Sequence, residues 1–204
     1  MKIEKRNFLI AENRSEVRAI REEGKPTKIG GYAAPFNSQS EDLGGFREVI
    51  SPGAFLASIG NDDIRGLIDH ETRLIIGRKS AGTLRLFEDS RGLGFENDLP
   101  DTSYARDLLV SIERKDITGM SFRFYVEDPA DERWARFNQG WVRTLLKVRL
   151  VEVSPVTFPA YSGSEVGMRS AGTDQPEGLT RALAEEAAKK RKRDIDIRIA
   201  ELGS

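Results

Sequence analysis

Met120, Phe122, Phe124 and Val126 occupy every second position of Gly119-Met120-Ser121-Phe122-Arg123-Phe124-Tyr125-Val126. A helix would scatter such a set around its axis, whereas a strand gathers it on one face. The same alternation marks Thr83–Phe87 and Leu93–Asn97, which flank a polar turn containing Ser90-Arg91-Gly92 and read as a hairpin. The longest strand pattern runs from Trp141 to Val156 and is interrupted by Pro155. Two helices are expected among these strands. One starts at Ser51-Pro52-Gly53-Ala54-Phe55-Leu56, with Ser51 as N-cap and Pro52 in the first turn. The other follows Pro100, capped by Asp101, Thr102 or Ser103, with Tyr104, Leu108 and Ile112 on its apolar face. Many short strands with few helices predict a mainly β, α+β fold: a closed or nearly closed antiparallel β-barrel with flanking helices.

Past Tyr161 the character changes. The small polar stretches Ser162-Gly163-Ser164 and Ser170-Ala171-Gly172-Thr173-Asp174-Gln175-Pro176-Glu177-Gly178 have linker composition. The expected organisation is therefore a domain at 1–161, a flexible linker at 162–178 and a charged helical tail at 179–204. In that tail Lys189-Lys190-Arg191-Lys192-Arg193 is read as a solvated helix face, with phosphate or an acidic partner as the alternative. The 32 basic and 33 acidic residues nearly cancel, so bulk charge points to neither nucleic acid nor membrane. No apolar run approaches the roughly 20 residues of a membrane span, and the charged N-terminus leads into no signal-peptide core.

The chain has no cysteine and one histidine, His70, at the end of Ile64-Arg65-Gly66-Leu67-Ile68-Asp69-His70. Disulfides and thiolate ligands are excluded, which suits a reducing cytoplasm, and the remaining carboxylates argue against zinc. No metal or cofactor is expected. Imidazole titrates near neutrality, so His70 is the natural base for a hydroxyl nucleophile, or else a structural residue. Glu152 sits in the apolar run Leu150-Val151-Glu152-Val153-Ser154-Pro155-Val156. Counting by twos through Val142, Thr144, Leu146, Val148 and Leu150 places Glu152 on the inward face, with Arg143, Lys147 and Arg149 on a solvated one. A buried carboxylate needs a partner, and a histidine ring N–H would serve. A β-bulge near Pro155 that turns Glu152 outward is the alternative. Ser121, at a strand start, reads on its own as an ordinary hydroxyl. The absence of a Gly-x-Ser-x-Gly elbow counts against an α/β-hydrolase.

Five motifs in order carry a resemblance: the strand ending at His70, Leu74-Ile75-Ile76-Gly77-Arg78, Gly92-Leu93-Gly94-Phe95, Thr118-Gly119-Met120-Ser121-Phe122-Arg123-Phe124, and Leu150 to Tyr161. The upstream stretches Gly30-Gly31-Tyr32-Ala33-Ala34-Pro35-Phe36-Asn37 and Phe46-Arg47-Glu48-Val49-Ile50-Ser51-Pro52-Gly53-Ala54-Phe55 also fit it. Together they resemble the prohead (procapsid) maturation proteases of tailed bacteriophages over about Ile29 to Tyr161. The resemblance implies a serine endopeptidase of assemblin-like barrel fold, related to the herpesvirus assemblins, with Ser121 as nucleophile and His70 as base. Assemblins use a second histidine, which this chain lacks, so the third member is a carboxylate. Glu152 matches the family motif, with Asp69 and Glu71 as rivals. The oxyanion donors are not placed by the sequence: Arg123 and Arg149 are read as a solvated basic face, with oxyanion donation the alternative on chemistry alone.

The implied substrates are the scaffolding portion of the major capsid protein, or a separate scaffold, and the protease itself. Its place would be inside the assembling procapsid in the host cytoplasm. Two alternatives stand beside this: a non-enzymatic capsid-assembly or scaffold protein, and a nucleic-acid-binding barrel using Trp134, Trp141, Arg133, Arg136 and Arg143. For the tryptophans, packing in a core or interface is the competing role.

Overall fold

The computed structural model describes residues 4–8, 16–21, 23, 27–40, 42–137, 140–157 and 177–202. Its strands are β1 (Glu4–Phe8), β2 (Glu16–Ile20), β3 (Lys28–Pro35), β4 (Phe46–Ile50), β5 (Arg65–Ile68) and β6 (Glu71–Arg78), then β7 (Leu84–Glu88), β8 (Gly92–Asp98), β9 (Gly119–Tyr125), β10 (Glu132–Phe137), β11 (Gly140–Leu145) and β12 (Arg149–Val156). Three helices accompany them: α1 (Leu56–Asn61), α2 (Ser103–Glu113) and α3 (Glu177–Leu202).

The fold is mainly β with a few helices, but the described strands form three sheets and none closes into a barrel. A five-stranded sheet runs β1-β9-β12-β5-β6, a four-stranded one β2-β3-β8-β7, and a three-stranded one β10-β11-β4. Two pairings, β12 with β5 and β11 with β4, are parallel, so the arrangement is mixed rather than antiparallel throughout. The larger two sheets share a core. Met120, Phe122, Phe124, Leu150 and Val153 from one meet Ile29, Ala33, Leu84, Leu93 and Phe95 from the other. Phe55 links this core to the turn before α1, edge-on to Phe122 at 5.5 Å and stacked on Phe36 at 6.3 Å. Asn97 on β8 also crosses between the sheets, donating to Ile76 O at 2.7 Å. Its amide lies so close over Gly77 that a Cβ there would fall 1.7 Å from Asn97 Oδ1.

Several local expectations change. The hairpin is present as β7–β8, with Glu88 opposite Leu93. Helix α1, however, starts at Leu56 rather than beside Ser51. Gly53, at φ +90°, turns the chain off the helical path. The Glu88 carboxylate, from across the fold, accepts the Gly53 and Phe55 N–H groups at 2.9 and 2.7 Å. Helix α2 has Thr102 at its N-cap without a side-chain capping bond, and it buries Ala105, Leu108 and Ile112. Tyr104 is half-buried against the same core, as expected, and its hydroxyl also donates to Ile75 O at 2.9 Å.

The long run from Trp141 to Val156 is two strands in two sheets. The chain turns between them, where Leu146 N and Lys147 N both donate to Asp131 O, at 2.8 and 3.1 Å. Arg143, expected on a solvated face, is 3% exposed. It pairs with Glu48 at 3.1 Å and Glu132 at 2.6 Å, and its guanidinium lies 5.7 Å from the Trp134 ring centre. Trp134 donates to Glu132 at 2.9 Å and packs on Phe46, so it and Arg143 are held by internal partners. Trp141 is partly buried under the Arg136 guanidinium, 5.2 Å from its ring centre.

Helix α3 begins two residues before the expected tail, and Leu179 in its first turn is buried. The basic run 189–193 is exposed along it. Of the expected linker, 162–176 lies outside the described residues, and so does Phe158-Pro159-Ala160-Tyr161 at the end of the last motif. No helix among the described residues is long and apolar enough to cross a membrane.

Candidate active site

Strand β9 sends Met120, Phe122 and Phe124 into the core, and alternation therefore puts Ser121 and Arg123 on the opposite face. Its neighbour β12 places Ser154 across from Ser121 and Glu152 across from Arg123. Directly opposed residues share a face. Ser121, Arg123, Glu152 and Ser154 thus form a polar patch on the back of a strand pair whose front is apolar.

Glu152 arrives there by a route the sequence parity did not follow. The β9–β12 register shifts between Leu150 and Glu152. Leu150 faces the core with Phe124, Val151 is the extra residue, and Glu152 emerges on the other face. The bulge precedes Glu152 rather than falling near Pro155. It does not expose the carboxylate, which is 1% exposed.

His70 is not on a strand. It lies with Asp69 in the turn between β5 and β6, and both residues adopt left-handed conformations, φ +63° and +47°. That region is sparsely used outside glycine and is maintained by surrounding contacts. Here Asp69 N donates to Pro155 O at 3.0 Å. The Asp69 carboxylate takes Thr157 N at 2.7 Å and Thr157 Oγ1 at 2.8 Å. The turn is thereby clamped to the end of β12, and His70 Nδ1 meets Glu152 Oε1.

Glu152 is held on every side. Ser154 Oγ donates to Oε2 at 2.5 Å, and Arg123 Nε stands 3.5 Å from Oε1. Arg123 also donates through Nη2 to the His70 carbonyl at 3.3 Å. With Nδ1 donating to a carboxylate, the imidazole is fixed in the tautomer whose Nε2 accepts a proton.

His70 and Glu152 are therefore in contact, and Ser121 shares their face. The rival carboxylates are engaged elsewhere: Asp69 with Thr157, and Glu71 at the surface near Arg73, 3.7 Å away. Of the two arginines, Arg149 is at the surface with Asp62 and Glu127, whereas Arg123 is inside the cluster. Sequence reading passed over Ser154 and the Asp69–Thr157 clamp. Ser154 had a signal, since i and i+2 on a strand share a face with Glu152. The clamp had none, because it joins residues 88 positions apart.

A family model described as Caudovirus prohead serine protease matches residues 13–177. No curated protein sequence matches the chain. Among solved structures, the bacteriophage T4 capsid assembly protease, gp21, aligns with a TM-score of 0.49 at 11% identity, covering 78% of this chain and 97% of that one.

Proposed function

The chain belongs to the caudovirus prohead serine proteases, the capsid-maturation endopeptidases of tailed phages, and on that premise we propose that Ser121, His70 and Glu152 carry its chemistry. Ser121 Oγ attacks the scissile carbonyl while His70 Nε2 takes its proton and then delivers it to the departing amine. Water repeats the cycle on the acyl-enzyme. Glu152 holds Nδ1–H throughout and stabilises the imidazolium as it forms. The observation that carries this reading is the contact of His70 Nδ1 with a buried carboxylate on the face that bears Ser121. Kinship with the herpesvirus assemblins belongs to the same proposal, with Glu152 standing where they use a second histidine.

The substrates we assign are the scaffolding portion of the major capsid protein, or a separate scaffold, and the protease itself, within the assembling procapsid in the host cytoplasm. The stretch 162–176, before helix α3, is the proposed self-cleavage region on its small, polar composition. Co-expression with the capsid gene tests the assignment. The capsid subunit should gain gel mobility with the parent chain and stay full-length with Ser121→Ala. Equal processing by both forms rejects Ser121. Maturation without any processing favours a non-enzymatic assembly role.

A further inference from the structure

Ser121 has 0% of its surface exposed, and the polar residue opposite it, Ser154, is equally sealed. A nucleophile must come within about 3 Å of a peptide carbonyl, so the chain as it stands is closed to substrate. Its neighbours in the sheet indicate why. On one side β9 pairs with β12. On the other it pairs with β1, antiparallel, from Glu4 opposite Phe124 to Phe8 opposite Met120. Asn7 lies directly across from Ser121. Opposed Cα atoms in such a ladder are about 4.5–5.5 Å apart, so the peptide groups flanking Asn7 are the backbone of β1 nearest the nucleophile.

Without β1, strand β9 would be an edge strand, with a row of unpaired N–H and C=O groups beside Ser121. Such an edge is a template for any extended peptide. The match to the family model begins at residue 13, so β1 lies outside the part of the chain the family shares. Among the described strands it is also a short one at the end of its sheet, paired with β9 alone, the kind of element that opens at low cost.

We propose that the outer edge of β9 is the substrate-docking edge, accepting an extended peptide antiparallel to β9 with its scissile bond beside Ser121. Strand β1 is an internal stand-in for that peptide and keeps the chain latent until displaced. The proposal rests on Ser121 being the nucleophile. Backbone pairing supplies affinity along the strand and the pockets on its faces supply sequence preference, as in other strand-addition sites.

Single proline substitutions through β1 in the full chain test it. Successive backbone N–H groups of an edge strand point alternately to its neighbour and away. Either Glu4→Pro, Arg6→Pro and Phe8→Pro, or Lys5→Pro and Asn7→Pro, remove bonds to β9, and the other set does not. Esterification of Ser121 by a fluorophosphonate probe, located by mass spectrometry, reports access. The bond-breaking set should react roughly five- to tenfold faster than the parent, because one net ladder hydrogen bond is worth about 1 kcal/mol. The other set should match the parent. Amide exchange across Gly119–Tyr125, which needs no activity, should quicken in the same variants. Parent and variants all reacting at Ser121 at one rate would overturn the latency and leave the nucleophile standing. Folded variants that exchange faster at β9 but never esterify Ser121 would remove the nucleophile, and this proposal with it.

Discussion

Ser154 holds Glu152 by the oxygen that His70 does not use: Oγ donates to Oε2 at 2.5 Å, while Oε1 faces the imidazole. Losing that donor lets the carboxylate rotate about its terminal torsion and loosens the imidazole with it. Ser154→Ala should lower kcat about tenfold with little change in KM, a step of about 1.4 kcal/mol in the barrier. The measurement is steady-state cleavage of a peptide substrate. A change in KM alone would show that Ser154 contacts substrate instead.

Glu152→Gln should be far more severe. The amide can present N–H to Nδ1 and select the wrong tautomer, and related triads lose about 10⁴ in kcat on this kind of change. Proton NMR offers a second readout. The parent should show a low-field Nδ1–H resonance that disappears in Glu152→Gln, while the folded spectrum is retained.

The Asp69–Thr157 clamp makes its own prediction. Thr157→Val removes the hydroxyl donor to Asp69 but keeps the backbone one, so the fold should lose about 1 kcal/mol. The His70 turn is held in a left-handed conformation against its preference, and kcat should fall more than stability explains. Thermal melts and kcat measured on one preparation separate the two. Equal kcat in both proteins would assign the clamp to stability alone.

How much of this was legible beforehand differs by residue. Alternation in 119–126 identified β9 and its apolar face correctly, because that strand is regular along its whole length. Parity counted from Val142 to Glu152 reached a buried carboxylate, but the count crosses a turn and a bulge and so named the wrong face. A period of two propagates only while the ladder is unbroken. Arg143 was placed in solvent because a lone arginine gives no hint of the two carboxylates that surround it. Glu48 is 95 residues away, and only the parallel pairing of β11 with β4 brings it near. The barrel was expected from strand number, which does not reveal which strands pair.

That buried ion cluster should dominate stability in the smaller sheet. Arg143→Met takes the guanidinium away from Glu48, which is 0% exposed, and breaking a buried pair from one side costs about 3–5 kcal/mol. For a chain of this size the expected fall in Tm is roughly 10 °C. Gly178→Ala approaches the same cluster from α3: its Cβ would lie 2.0 Å from Glu132 Oε1 and 2.3 Å from Trp134 Nε1. It should alter Trp134 fluorescence and loosen the helix while leaving cleavage rates near the parent's.

Acid sensitivity should appear at the β7–β8 hairpin. Arg85 hydrogen-bonds Asp98 and holds its carboxyl below the usual range, against the opposing effect of burial. A carboxylate depressed in the folded state favours folding above its unfolded pKa, about 4, and that contribution is lost as pH falls through the folded value. Melts from pH 6 to pH 2 should show a decline that is shallower in Arg85→Gln. Parallel curves would place the acid-labile group elsewhere.

The extra residue at Val151, inside β12, lets Leu150 and Glu152 look to opposite faces although they stand two positions apart. Deleting Val151 would restore a regular ladder with Leu150 still opposite Phe124 and Glu152 still opposite Arg123, so the acid would keep its place. Deleting Val153 would instead make Glu152 and Ser154 adjacent and send them to opposite faces, and that shortening, not the first, should silence the enzyme.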